Sequence, residues 1–147
     1  MKQKNMIGFE IRALNNQIKR DVEKSKVFEY CKTTGLHGWA IGYFFENRDK
    51  DVFQRDFENH FSIRRSTASN ILSCMEKNGL IIRESVEYDA RLKKIILTER
   101  AVEIHKMITE DIKKREEKLK NGISEEELIC FFGVLDKIKA NLEVHDD

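Results

Sequence analysis

Apolar residues recur every three or four positions along most of this chain, which is the spacing of one buried helical face. The chain has no proline to interrupt such helices. Ser124 and Glu127 have the spacing of a capping box and mark the start of the last helix. The pattern predicts helices over residues 5–32, 36–47, 51–60, 64–78, 98–120 and 124–144.

After the fourth helix the pattern changes to short β-branched runs. IIRESVEY, residues 81–88, and KKIILT, residues 93–98, are predicted to form an antiparallel hairpin with DARL, residues 89–92, at its tip. Asn78-Gly79-Leu80 is typical of a helix end, with Gly79 in the left-handed conformation and Leu80 packing back. The predicted fold is therefore mainly α with a small β-hairpin.

The helix predicted over residues 64–78 has an unusual exposed face. Its apolar residues, Ala68, Ile71, Leu72 and Met75, share one sector of the helical wheel. The other side carries short hydrogen-bonding residues, Ser66, Ser69, Asn70 and Ser73, with Arg65 and Thr67 on its flanks. Short side chains allow close approach to base edges, where Asn pairs with adenine and Arg with guanine. A surface helix that is merely rich in serine is the alternative.

The neighbouring elements favour contact with DNA. A short helix, a tight turn and this helix make a helix-turn-helix, whose second member enters the major groove. A hairpin carrying Arg91, Lys93 and Lys94 follows, as the wing of a winged helix does, and its arginine can enter the minor groove. Asp89 is placed to hold Arg91 by a charge-assisted hydrogen bond. Residues 62–97 hold seven basic and four acidic groups, although the whole chain has a net charge of only +1.

Residues 33–120 resemble the MarR family of winged helix-turn-helix transcription regulators. STASNILSCMEKNGLI matches the recognition helix and its end, and Asp89, Arg91, Ile95, Leu97 and Thr98 match the family's wing pattern. The resemblance implies a winged helix-turn-helix head over residues 33–97 and a helical dimerisation region from residues 1–32 and 98–147. It also implies a homodimer that binds a pseudo-palindromic double-stranded DNA operator. The expected role is a repressor released by a small ligand or an oxidant.

The resemblance and the helical wheel together select the candidate DNA-binding residues. They are Arg64, Arg65, Ser66, Thr67, Ser69, Asn70, Ser73, Asp89, Arg91 and Lys93. Arg64 departs from the family, because many members have a capping serine at this position. The cap then comes from Ser62 or is missing.

The terminal helices favour a dimer without reference to the family. Their apolar residues are more numerous than a four-helix head can cover: Val102, Ile108, Ile112, Leu119, Leu128, Ile129, Phe132, Leu135, Ile138 and Leu142. A protein that reads two half-sites needs a paired arrangement of this kind. The alternative is that these helices fold back onto their own core.

The way in which an effector is sensed stays open. Members of the family respond to small phenolic or other apolar ligands, to thiol oxidation or occasionally to a metal. His37, Trp39, Tyr43 and Phe44 are candidates for a ligand pocket, with plain core as the alternative. Cys31 is the candidate thiol sensor, and an inert cysteine is the alternative. The four scattered histidines form no ligand pattern, so neither a metal nor a cofactor is expected.

Composition and motifs argue against other classes of protein. Apolar residues make up 40% of the 147 and charged residues 36%, which is typical of one ordered domain. No apolar run approaches the roughly 20 residues of a membrane span, and the three cysteines and the polar start fit the cytoplasm. Phosphate-binding glycine loops, GxSxG and HExxH are absent, so an enzyme is not expected. The remaining alternative is a winged-helix protein-protein adaptor without specific DNA binding.

Overall fold

The computed structural model describes residues 5–31 and 35–143. The chain divides into two compact units, one ending at Asp111 and the other beginning at Ile112. The described elements are α1 (Ile7–Glu23), α2 (Lys26–Cys31), α3 (Gly35–Glu46), α4 (Gln54–Phe61), α5 (Arg65–Lys77), β1 (Ile81–Val86), β2 (Asp89–Leu97), α6 (Glu99–Lys120) and α7 (Glu125–Glu143). A mainly α fold with one hairpin is therefore confirmed.

The single helix predicted over residues 5–32 is wrong, because α1 and α2 are separated at Ser25. The Ser25 hydroxyl accepts a hydrogen bond from the backbone N–H of Val27 at 3.1 Å and so caps α2. The same hydroxyl donates to Asp111 Oδ1 on α6 at 2.9 Å. A serine that bonds the neighbouring backbone competes with a continuous helix.

The core of the unit that ends at Asp111 forms around α5. Ala68, Leu72 and Met75 are fully buried, as predicted, while Ile71 is half-buried. Phe57 of α4 stacks on Phe44 of α3, with ring centroids 5.4 Å apart. Other buried residues are Ala40, Ile41, Leu80, Ile81, Ile95, Ala101, Ile104 and Ile108. Burial of each large aliphatic or aromatic side chain contributes roughly 1.5–3 kcal/mol to folding.

The turn between α4 and α5 is tight. Ser62 has a φ of 51°, and its N–H donates to Asn59 O, which ends α4. Arg64 occupies the N-cap position of α5 and provides no side-chain hydrogen bond. Of the two alternatives predicted for this position, a cap from Ser62 or no cap, the structure has the second: α5 begins without a side-chain cap.

The end of α5 is a Schellman motif. Gly79 has a φ of +71°, and its N–H donates to Glu76 O, while the N–H of Leu80 donates to Met75 O. This confirms the predicted helix end. The start of α6 is bonded to the same turn, because the Thr98 hydroxyl donates to Gly79 O at 2.6 Å and Arg100 Nη1 donates to Asn78 O at 3.1 Å.

The hairpin reverses at Glu87 and Tyr88, so the tip predicted at residues 89–92 is wrong. Val86 pairs with Asp89 and Ser85 pairs with Lys93, which leaves residues 90–92 as a bulge in β2. The N–H of Ile95 donates to Val52 O at 2.7 Å. This bond ties Val52 to β2, Phe53 has an extended backbone, and α4 begins at Gln54, three residues later than predicted.

The unit that begins at Ile112 contains the end of α6 and all of α7. Reciprocal bonds between Ser124 and Glu127 confirm the predicted capping box. No side chain of α7 is buried, and Ile129 and Leu142 are 69% and 82% exposed. Within the described residues, no helix is both long and apolar enough to span a bilayer.

We expect two glycine substitutions to have opposite effects on stability. Gly79→Ala lowers the free energy of unfolding by roughly 1 kcal/mol, because an L-residue is strained at positive φ. Gly42→Ala, in the middle of α3 with no atom within 4 Å of an added Cβ, raises it by roughly 0.5–1 kcal/mol. Urea denaturation at one protein concentration measures both. If both substitutions change the free energy of unfolding in the same direction, the positive φ assigned to Gly79 is contradicted.

Candidate nucleic-acid interface

The polar face of α5 points away from the core. Burial of Ala68, Leu72 and Met75 fixes the rotation of the helix, which leaves the opposite face to solvent. Ser69 is half-buried, and the other predicted residues of this helix and its cap are exposed: Arg64, Arg65, Ser66, Thr67, Asn70 and Ser73. The structure thus places these predicted residues on or beside one exposed face.

The wing arginine is oriented by Asp89. The backbone N–H of Arg91 donates to Asp89 Oδ1 at 2.9 Å, and its guanidinium lies 3.3 Å and 3.4 Å from the two carboxylate oxygens. The predicted contact is therefore present. The Arg91 side chain is 90% exposed, so the ion pair adds little stability but directs the cation outward from the bulge.

The two lysines of β2 have different contacts. Lys93 Nζ donates to Ser85 Oγ on the paired strand at 2.9 Å. Lys94 Nζ lies 3.5 Å from Asp51 Oδ1, next to the extended segment that leads into α4. Lys93 is thus tethered within the wing, whereas Lys94 joins the wing to the helix-turn-helix.

A cavity of about 520 Å³ lies between α4, α5 and the hairpin. Five of its lining residues are basic, Arg55, Arg65, Arg83, Arg91 and Lys93, and we call it the basic groove. Glu58 is the acidic residue of the lining. A concave surface with this excess of cations attracts a polyanion.

Sequence reasoning missed Gln54, Arg55 and Arg83. Arg55 is on α4, one residue after the start of the helix. The periodicity of the sequence does not predict that its side chain lies near the wing. Arg83 pairs with Ile95 across the hairpin and forms an ion pair with Glu76 of α5, with Nε 2.8 Å from Oε2. The usable signal for Arg83 was its place among the seven basic residues of the 62–97 stretch.

Gln54 connects the first turns of the two helices. Its Nε2 donates to Ser69 Oγ at 2.9 Å and lies 3.4 Å from the backbone O of Arg65. Gln54 is half-buried and lines the basic groove. Ser69, a predicted DNA contact, therefore already has a partner within the protein.

The four predicted ligand-pocket residues occupy different environments on α3. His37 and Phe44 are buried, seven residues apart on one face, whereas Trp39 is 51% exposed. Tyr43 is half-buried and stacks on His60, with centroids 4.4 Å apart. None of the four lines the basic groove. Their role in ligand binding stays a prediction.

The uncharged form is favoured for two of these groups. Burial lowers the pKa of His37, which disfavours its imidazolium form. Burial, followed by the negative charge of Asp56, raises the pKa of Tyr43 further above neutral pH. Both side chains can thus offer uncharged hydrogen-bonding groups.

The cysteine prediction cannot be followed into the structure. Cys31 is the last residue of α2, and its side chain lies outside the described residues. Cys74 and Cys130 are both exposed. Over residues 5–31 and 35–143, no group of three or more His, Cys, Asp or Glu residues is arranged to hold a metal ion.

Known structures resemble this chain over almost its whole length. A DNA complex of S. aureus MepR superposes with a TM-score of 0.85, with 22% identity, 97% of this chain and 100% of that chain covered. The transcription regulator MarR from Oenococcus oeni PSU-1 has 27% identity and a TM-score of 0.76, covering 92% and 99%. The PcaV regulator of Streptomyces coelicolor, solved with its natural ligand, has 16% identity and a TM-score of 0.82, covering 97% and 98%.

No family model matches the sequence. The structural neighbours nevertheless superpose on more than nine-tenths of the chain. The resemblance predicted from the recognition helix and the wing is therefore confirmed, and the fold of the chain is similar to that of these MarR-type winged-helix regulators.

Proposed function

We propose that this chain is a homodimeric, sequence-specific DNA-binding transcription regulator. One observation carries the proposal: the short polar face of α5 adjoins a groove that Arg65 shares with the wing residues Arg91 and Lys93. A helix of this kind reads base edges in the major groove, and a basic wing contacts the flanking backbone and minor groove. The neighbour MepR was solved as a DNA complex, which supports the same role here.

The arrangement of charge assigns different tasks to the two elements. Asn70 and the serines of α5 are uncharged and suit direct readout of bases. Apart from Arg91, the cations of the basic groove suit phosphates, which supply affinity and position without reading sequence. Arg91 stands apart, because its guanidinium is held by Asp89 and is almost fully exposed. It suits the negative potential of a narrow minor groove.

We propose that the terminal helices form the dimer interface, with residues 1–32 and 98–147 as the dimerisation region and 33–97 as the DNA-binding head. α1 exposes Ile7, Phe9, Ile11 and Leu14, and α7 exposes Ile129, Phe131, Phe132, Val134 and Leu142. Exposed apolar surface concentrated on two helices is typical of an interaction site. A two-fold dimer presents two recognition helices to a pseudo-palindromic operator.

The regulator is proposed to be a cytoplasmic, non-enzymatic repressor that an effector releases from DNA. PcaV, solved with its natural ligand, supports an effector of the small-molecule type. His37, Trp39, Tyr43 and Phe44 are the candidate residues for a small apolar or phenolic effector. Oxidation of Cys31 is the alternative signal. Comparing operator binding in the presence of phenolic carboxylates and of peroxide separates the two.

DNA binding is tested by selection from a random duplex library, followed by titration of the selected operator at several salt concentrations. We expect one enriched sequence, and log K should fall with log salt by about 0.9 per phosphate neutralised. Asn70→Ala should cost roughly 1–3 kcal/mol on that operator and little on random DNA. Asn121→Ala, an exposed amide in the turn after α6, is the matched control. Failure to enrich any sequence overturns the proposal and favours the protein-protein adaptor.

Arg91→Ala is expected to weaken binding and reduce the preference for A·T-rich flanks, because narrow A·T grooves attract an inserted arginine. Asp89→Ala should give a milder form of the same defect, since it releases the guanidinium without removing it. Operators with A·T-rich and G·C-rich flanks distinguish these effects. Lys106→Ala on α6 controls for the loss of one positive charge. If Arg91→Ala binds both operators as tightly as the parent, the wing arginine does not read the groove.

Sedimentation equilibrium tests the dimer. The full chain at micromolar concentration should have twice the protomer mass. Phe132→Asp should shift it towards the monomer, because a carboxylate within the apolar face of α7 has no partner there. Lys137→Asp, at an exposed polar position of the same helix, is the control. A well-folded monomer of the parent chain contradicts the proposed interface.

A further inference from the structure

Ser69 differs from its neighbours on the polar face of α5. It is half-buried, whereas Ser66, Thr67 and Asn70 are exposed, and its hydroxyl accepts a hydrogen bond from Gln54 Nε2 at 2.9 Å. The bond joins α4 to α5 across 15 residues of the chain. A residue of the reading face is therefore fixed from the neighbouring helix.

The contact with Arg65 determines which way the Gln54 amide faces. Gln54 Nε2 lies 3.4 Å from the Arg65 carbonyl oxygen, which can only accept a hydrogen bond. The amide nitrogen, and not its oxygen, must therefore face α5. One lone pair of Ser69 Oγ is thus occupied by the Gln54 amide, and the Ser69 hydroxyl proton is left to donate.

The start of α5 has no side-chain cap, because Arg64 at the N-cap position makes no capping hydrogen bond. The Gln54 amide nitrogen is a donor and does not replace that cap, but it ties this end of α5 to α4. The N-terminal residues of a recognition helix are those that reach base edges. Gln54 bonds the first and second turns of this end, at Arg65 and Ser69, and limits their rotation and fraying.

We propose that Gln54 is a positioning residue for base reading: it fixes the N-terminal turns of α5 and presents the Ser69 hydroxyl as a donor to a base-edge acceptor in the major groove. Such acceptors are guanine O6 and N7, adenine N7 and thymine O4. This inference rests on the proposed function. The proposed role of Gln54 differs from a direct contact with DNA, because Gln54 acts through Ser69. Substitution of Gln54 should therefore change sequence preference more than overall affinity.

The test uses the full chain and the operator that the parent protein selects from a random duplex library. Gln54→Ala should weaken binding to that operator roughly tenfold and leave binding to random duplex unchanged. Gln54→Met, which keeps the length but cannot donate, should behave in the same way. Asn59→Ala, an exposed amide near the other end of α4, should match the parent on both DNAs.

A double-variant cycle tests whether Gln54 acts through Ser69. Ser69→Ala should reduce the ratio of operator to random affinity as Gln54→Ala does, and the double variant should be no worse than either single variant. The inference is overturned if the double variant loses as much operator affinity as the two single variants together. It is also overturned if Gln54→Met keeps the parental ratio of operator to random affinity, or if the variants lose equal affinity for both DNAs. If the parent enriches no sequence at all, the proposed function itself fails. The two failures are thus distinguishable.

Discussion

The rotation of α5 about its axis is set by burial of Ala68, Leu72 and Met75, and the rest of the interface depends on it. These side chains have no exposed surface, and turning the helix by one residue, about 100°, would bring polar groups into the core. The cost of burying serine or asparagine without partners is larger than that of most surface changes. The same contacts that stabilise the head therefore present its polar face to DNA in the proposed complex.

Three neighbouring segments are bonded to α5 or to the turn that ends it. Gln54 bonds its first turns, Arg83 of β1 pairs with Glu76 near its end, and Thr98 bonds the Gly79 turn that follows it. The wing is further joined to the start of α4 through Ile95 and Val52. α5, the hairpin and the beginning of α6 thus form one bonded group. Through Thr98 and Arg100, the beginning of α6 is bonded directly to the turn that ends α5.

The sequence predicted those features that depend on neighbours along the chain. Helical periodicity located most of the helices, and local capping chemistry identified Gly79 and the Ser124–Glu127 pair. Features that depend on distant residues were missed. Ser25 separates α1 from α2 with a bond to Asp111, 86 residues away, and the position of the hairpin turn depends on a bulge opposite Ser85 and Val86. Gln54 and Arg55 join the site only because the tertiary fold brings α4 beside the wing.

The central claim is that α5 lies in the major groove while the wing lies over the adjacent minor groove. Chemical footprinting of the parent protein on its selected operator tests this most directly, with a methylation probe for guanine N7 in the major groove and hydroxyl radicals for the sugars of the minor groove. The account predicts two patches of guanine protection related by two-fold symmetry, each flanked on its outer side by protected sugars. Arg91→Ala should remove the flanking protection and leave the guanine protection. Uniform protection without a two-fold pattern, or protection of sugars alone, would contradict the account.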